Sequence, residues 1–321
     1  MKRRTFLRGA AAAAVLAAAG PFAAAQAADF PRRPINIVVP FKAGGGTDAY
    51  ARALSAAAEG VLKVPLVVVN KPGSGGLNGA QSAMRARPDG YTVMLTSGGS
   101  FLLSTMLRDT PVDPFGSFKV VAQVGELQTS LMVPAASGFT SVQDVIEAAK
   151  QNPGALRWAH SGRGGFHHVA GLGFLAKNGL QAQDVPFKGG GPARAALIGA
   201  QTDFGFIGVQ QARGFEEQLR PLAVNAEERD GVMTEVPSFG EIGVPFAAIS
   251  SPVIVFAPKD TPDEVVASLT AALQEIVAKP KFAELLAARG TGPGFAGPAA
   301  AEAKLRAMKA DAEPLLASLT N

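Results

Sequence analysis

The amino-acid sequence predicts an α/β protein of two lobes joined by two crossover strands, and three observations carry that expectation. Short apolar runs alternate with helical stretches from Ile35 to Ala257, the pattern of parallel sheets covered by helices on both faces. Glycine-rich turns follow several of those runs directly, as they do where strand ends converge on a ligand. A chain of 321 residues, even without a leader, is long enough for two such lobes with large hydrophobic cores.

Residues 1–27 read as a signal peptide of the twin-arginine type. Arg3-Arg4-Thr5-Phe6-Leu7-Arg8 is the basic segment, Ala10 to Ala19 is apolar but too short to span a bilayer, and Ala25-Gln26-Ala27 fits a cleavage site. Cleavage near Ala27 would leave the mature chain in the periplasm. It would also remove Lys2, Arg3, Arg4 and Arg8 with no acid, so the formal charge of +4 falls to zero. No basic run with interleaved aromatics remains, which argues against nucleic acid as a partner. Without cysteine there is no disulfide, no thiolate chemistry and no cysteine metal site.

Lobe one is assigned to residues 28–130, with strands near 35–40, 64–70, 91–96 and 119–124 and helices near 47–59, 77–86 and 100–107. Lobe two is assigned to 131–250. It opens with a first crossover strand near 131–133, then a helix with Thr140 and Gln143 as its capping pair and Val142, Val145, Ile146 and Ala149 on one face. Further strands are expected at 157–160, 185–187, 203–207 and 219–225, with helices near 166–178 and 192–199. A second crossover near 252–257 returns the chain to lobe one. There Thr261-Pro262-Asp263-Glu264 reads as a capping box for a helix through Val277, and residues 251–321 end in C-terminal helices.

The first strand runs through Pro40 and Phe41 into Gly44-Gly45-Gly46, with Thr47 or Asp48 as a cap for the next helix. Backbone N–H groups at that helix start would face an anion above the strand end. Four more turns repeat the pattern: Gly73 to Gly76, Ser97 to Ser100, Ser161 to Gly165, and Lys188 to Pro192. Five such turns suggest converging strand ends around one small ligand.

No phosphate loop of Walker type, Gly-x-Ser-x-Gly elbow or His-Glu-x-x-His helix occurs. Gly292 to Gly297 matches Gly-x-Gly-x-x-Gly, but it follows a helix and contains a proline, and it reads as a loop. His160, His167 and His168 cluster in sequence without a neighbouring acid to complete a coordination set. No metal or cofactor is expected. A hydrolase using Ser161 with His160 or His168 lacks a third, orienting group, so binding is the preferred class and no enzyme is expected.

Taken together, Pro40-Phe41-x-x-Gly-Gly-Gly-Thr-Asp48, Asn70-Lys-Pro-Gly-Ser-Gly-Gly76, Pro88-Asp-Gly-Tyr-Thr92, Ser161-Gly-x-Gly164 with His168 and Ala170-Gly171, Val185-Pro-Phe-Lys-Gly189 and Ala257-Pro-x-x-Thr-Pro262 resemble the tripartite tricarboxylate transporter receptors, the Bug-type periplasmic binding proteins. The resemblance covers nearly the whole mature chain. It implies a type II periplasmic binding fold that captures a small carboxylate between two lobes and delivers it to membrane transporter subunits, or to a sensor kinase, with the receptor a monomer. By position it implies ligand contacts from Phe41, Gly44, Gly45, Gly46, Thr47, Asp48, Thr96, Ser97 and Ser100 in lobe one. From lobe two it implies Ser161, Gly162, Gly165, Phe166, His168, Lys188 and Gly189. The chain departs from the family at Gly165 and Phe166, where hydroxyl residues are common, at Phe187 for a usual Tyr, and at Gly208 for a frequent Asp. Phe101–Met106 also lacks the usual His and Asn pattern. Phe166 in particular would either face the ligand as an apolar ring or staple its helix to the core.

Overall fold

A computed structural model describes residues 30–320; the export segment read over residues 1–27 lies outside them. The first sheet contains β1 (Ile35–Val39), β2 (Leu66–Asn70), β3 (Thr92–Ser97), β4 (Phe118–Leu127), β10 (Ser251–Pro258) and β11 (Pro293–Ala296). Their order is β11-β4-β10-β3-β1-β2. The second sheet contains β5 (Thr129–Pro134), β6 (Arg157–His160), β7 (Gln183–Pro186), β8 (Phe204–Gly208) and β9 (Leu219–Val224), in the order β7-β6-β8-β5-β9.

The strands followed by glycine turns are parallel neighbours: β1 pairs with β2 and β3, and β6 pairs with β7 and β8. The crossover strands are not parallel to them, which corrects the expectation of purely parallel sheets. β10 runs antiparallel to β3 and β4, and β5 runs antiparallel to β8 and β9. The reason is directional. β4 leaves the first sheet and reaches β5 through Gln128 alone, so β5 enters the second sheet from the junction and runs away from it. β10 does the same on the return. The strands β1, β2 and β3 run with β4, and β6, β7 and β8 run against β5, so all six end at the junction between the lobes.

Nine helices cover the sheets among the described residues: α1 (Gly46–Ala57), α2 (Leu77–Met84), α3 (Gly98–Leu107), α4 (Val142–Gln151), α5 (Phe166–Lys177), α6 (Gly190–Ile198), α7 (Asp263–Val277), α8 (Pro280–Ala287) and α9 (Pro298–Thr320). Several helix starts differ from the sequence reading. α4 is capped by Ser141 and Asp144 in a reciprocal box, one residue beyond the expected Thr140 and Gln143, because Ser141 is the last extended residue. α7 has no side-chain cap: Pro262 is itself the extended residue before the helix, and the Thr261 hydroxyl is buried without a partner. Neither Thr47 nor Asp48 caps α1; Gly45 holds that position. The stretch expected as a loop at 292–297 instead supplies the edge strand β11, paired to β4.

The core is aromatic in both lobes. Phe101, Phe118 and Phe256 meet edge to face at 5.6–5.9 Å in the first, and Trp158, Phe204, Phe206, Phe174 and Phe239 form a chain in the second. Such ring pairs contribute about 0.5–1.5 kcal/mol each beyond their buried area. α9 ties the lobes together, with Leu305 against Gly98 of α3 and Leu315 against Gly173 of α5. No helix among the described residues is long and apolar enough to cross a membrane.

Candidate functional site

In lobe one the turn from β1 to α1 is held by a buried carboxylate. Asp48 is 2% exposed and accepts hydrogen bonds from the Gly44 N–H at 2.8 Å, Arg52 Nε at 2.8 Å and Asn70 Nδ2 at 2.9 Å. Burial alone would raise its pKa, but the bonds from Arg52, Gly44 and Asn70 outweigh burial and hold it below the ordinary value. Asn70 also donates to the Phe41 carbonyl, and the Phe41 ring lies over Gly76. The aspartate therefore shapes the turn, and its charge is answered by Arg52. Gly44 and Gly45 are exposed and Gly46 is half-buried, which leaves the Gly45, Gly46 and Thr47 N–H groups at the open helix start.

At the end of β3, Thr96 and Ser97 are buried. Ser97 Oγ accepts from the Ser100 N–H at 3.4 Å and shares a hydrogen bond with Ser251 Oγ on β10. Both hydroxyls are thus turned inward, and of this trio only Ser100 is partly open.

Lobe two holds the denser arrangement. The Gly162 N–H donates to His160 Nδ1 at 3.2 Å and the Gly164 N–H donates to His168 Nδ1 at 3.1 Å. An Nδ1 that accepts a hydrogen bond carries no proton, so both rings are protonated at Nε2. Both Nε2 atoms face Asp184 Oδ2, at 3.3 and 3.8 Å, and Arg163 closes the group with two 3.0 Å contacts to the same carboxylate. Burial lowers the pKa of His160 despite Asp184. It pushes His168 down to about 4, with His160 adding to the effect.

The sequence showed no acid near the histidines, and Asp184 corrects that. His160, His168 and Asp184 bring potential ligand atoms within 4.8 Å of one another. The tautomers nevertheless argue against coordination, because a neutral imidazole that offers Nε2 to a metal must carry its proton on Nδ1. The cluster instead fixes the glycine turn, occupying the N–H groups of Gly162 and Gly164.

The expected partners of Ser161 are also corrected: its Oγ lies 2.6 Å from His167 Nδ1, not beside His160 or His168. His167 Nε2 is buried with no partner. Burial, with a smaller contribution from His160, pushes the ring down to about 3. Next to it Phe166 is 7% exposed and belongs to the hydrophobic core, its ring centroid 3.9 Å from that of His167. The neighbouring turn joins through the Gly189 N–H, which donates to the Ser161 carbonyl at 3.2 Å, while Lys188 is exposed.

The structure thus gathers Ser161, Gly162, Gly165, Lys188 and Gly189 at one end of lobe two, and Phe41 and Gly44 to Thr47 at one end of lobe one. It turns the side chains of Asp48, Thr96, Ser97, Phe166 and His168 inward. Gly164 reaches across to lobe one, where a Cβ on it would lie 2.3 Å from Leu107 Cδ1 at the end of α3. Arg52 and Asp184 carried no signal in the sequence, whereas Arg163 stands inside the Ser161–Gly165 turn, His167 inside the histidine cluster and Asn70 within a glycine motif, none of them with the role the structure gives it.

The sequence profile of the TctC family, tripartite tricarboxylate transporter family receptors, matches residues 50–311. The chain belongs to that family. It is 29% identical to the protein BugT of Bordetella pertussis over 287 residues, 88% of each chain. Among solved structures, a TctC solute binding protein from Polaromonas superposes with a TM-score of 0.78 at 28% identity, covering 90% of this chain and 99% of that one. R. palustris Rpa4515 with adipate gives 0.77 at 28%, covering 89% and 97%. MatC (Rpa3494) from Rhodopseudomonas palustris with bound malate gives 0.74 at 26%, covering 89% and 100%. The fold is therefore the two-lobed α/β fold of the periplasmic binding proteins.

Proposed function

We propose that the protein is an exported, monomeric receptor, its leader cleaved near Ala27, that captures a small organic carboxylate between its lobes in the periplasm. It hands the ligand to a tripartite tricarboxylate-type membrane transporter, with a sensor kinase as a second outlet. The observation that carries this reading is the strand direction: the turns after β1, β2 and β3 and those after β6 and β7 all open toward the junction. All five lead into helices, and α1, α5 and α6 begin without a side-chain cap, so that their first N–H groups have no acceptor within the helix. The buried Asp48 and the half-buried Asp184, which brace these turns, are paired with Arg52 and Arg163, so neither opposes an anion there with an unanswered charge.

Each helix start contributes roughly 0.3–1 kcal/mol to a bound anion, and more when water is excluded. Charge-assisted hydrogen bonds add about 1.5–3 kcal/mol each. Donors from both lobes together are sufficient for micromolar affinity, about −8 kcal/mol, after the cost of closure. The relatives holding adipate and malate support a short dicarboxylate as the first ligand to try.

A hydrolytic role is disfavoured by the Ser161–His167 pair itself. His167 has no orienting partner on Nε2, and a base held near 3 is too weak to activate a hydroxyl at neutral pH. Titration calorimetry across a panel of mono-, di- and tricarboxylates tests the reading: saturable binding is expected, with the ligand recovered unchanged. Turnover of any panel member that disappears in Ser161→Ala would instead identify an enzyme.

A further inference from the structure

Ser161 directly follows β6 and His167 stands in the first turn of α5, and their side chains meet at 2.6 Å, Oγ to Nδ1. Ser161 is half-buried, whereas the His167 side chain is buried and its Nε2 has no partner. The Phe166 ring covers one face of the imidazole, their centroids 3.9 Å apart. Burial pushes the ring's pKa down to about 3, so it is neutral at neutral pH. A neutral imidazole carries a single N–H, and where that proton sits decides what the Ser161 hydroxyl can do.

With the proton on Nε2, Ser161 spends its hydrogen on Nδ1, a buried N–H is left without an acceptor, and only oxygen lone pairs remain to meet a ligand. With the proton on Nδ1, the ring donates to Ser161 Oγ, the hydroxyl hydrogen is freed, and the unpaired group is a bare nitrogen. On the main chain, buried N–H groups without an acceptor are rarer than unfilled carbonyls, and the same balance applied to this ring favours the second form. An anion favours it further, because an O–H donated to a carboxylate is a charge-assisted bond, strengthened when the same oxygen accepts an N–H. α5 begins beside it without a side-chain cap, its first helical bond running from Val169 back to Gly165, so earlier main-chain donors stand open there too. We propose that His167 is a positioning residue for ligand capture: its Nδ1–H donates to Ser161 Oγ and leaves the hydroxyl hydrogen to the ligand carboxylate. This rests on the carboxylate-receptor reading above. It gives His167 the opposite tautomer to His160 and His168, whose Nδ1 atoms accept from Gly162 and Gly164.

The test starts with the ligand-free full chain, its three histidines isotope-labelled in the ring nitrogens, by long-range proton–nitrogen correlation at neutral pH. A bare ring nitrogen resonates well downfield of a protonated one, so each tautomer is read directly. His160 and His168 should be protonated on Nε2 and His167 on Nδ1, assigned by the pattern lost in His167→Asn. An Nε2-protonated His167 would overturn the proposal whatever the ligand. Calorimetry with malate and adipate then reads the consequence. Ser161→Ala and His167→Leu should each raise the Kd about tenfold or more, and His167→Asn, whose amide N–H can replace Nδ1–H, should return it to within about threefold of the parent. A merely structural ring predicts that His167→Leu, apolar in a dry site, binds as the parent does, and that result, or no gain from Asn over Leu, would overturn the positioning role. A parent that binds no carboxylate would count against the receptor reading instead, while the spectrum alone still decides the direction of the Ser161 hydroxyl.

Discussion

His167 is a neutral imidazole locked in a dry place, and its burial has a consequence in pH. Its folded pKa of about 3 lies far below the ordinary 6.5, so as pH falls through 6.5 the unfolded chain takes up a proton that the folded chain refuses. The folded state is fully favoured above 6.5 and loses ground steadily below it. His160 and His168 act in the same direction. Urea unfolding between pH 6.5 and 4.5 should show stability falling with acid, and His167→Gln should reduce that slope by about 1.4 kcal/mol per pH unit. Identical slopes in the two proteins would mean that His167 is not buried uncharged. Phe166 beside it resolves toward packing. Its 7% exposure predicts that Phe166→Ala lowers stability by about 3–5 kcal/mol while leaving the order of preference among carboxylates unchanged; a reordered preference with normal stability would place the ring at the ligand.

At the scale of elements, the strand–turn–helix units were legible because their signals are local. Apolar runs bounded by glycine located β1, β2, β3, β6 and β7 within a few residues, and the amphipathic faces of α4 and α7 followed from spacing. What stayed hidden depends on register and direction. Asp184 meets His160 because β6 and β7 pair with Trp158 opposite Asp184 and His160 opposite Pro186, and no spacing in a sequence encodes that alignment. Ser161 chose His167 over its neighbours for a similar reason, since only one of three nearby rings can face the turn while the other two are tied to Gly162 and Gly164. The α5–β6 packing offers a direct check. A Cβ on Gly171 would lie 2.3 Å from Trp158 Cζ3, so Gly171→Ala should destabilise the protein by about 1–3 kcal/mol. Trp158 is the sole tryptophan, so its emission should shift in the same variant. Unchanged emission and stability would show that this helix sits farther from its sheet.

For the whole molecule, the central claim is that turns from both lobes clasp one carboxylate. Each lobe alone offers only part of the donor set, and the chain between them narrows to Gln128 on one side and to the segment entering β10 on the other, a geometry suited to hinge closure. α9 lies across both lobes and should move with the hinge rather than with the turns. Backbone hydrogen exchange, measured on the protein alone and with a saturating carboxylate taken from the calorimetric panel, tests the claim most directly. Protection is expected together in peptides covering Phe41–Thr47, Ser161–Phe166 and Lys188–Gly190. Protection confined to one lobe, or centred elsewhere with these three segments unchanged, would contradict it.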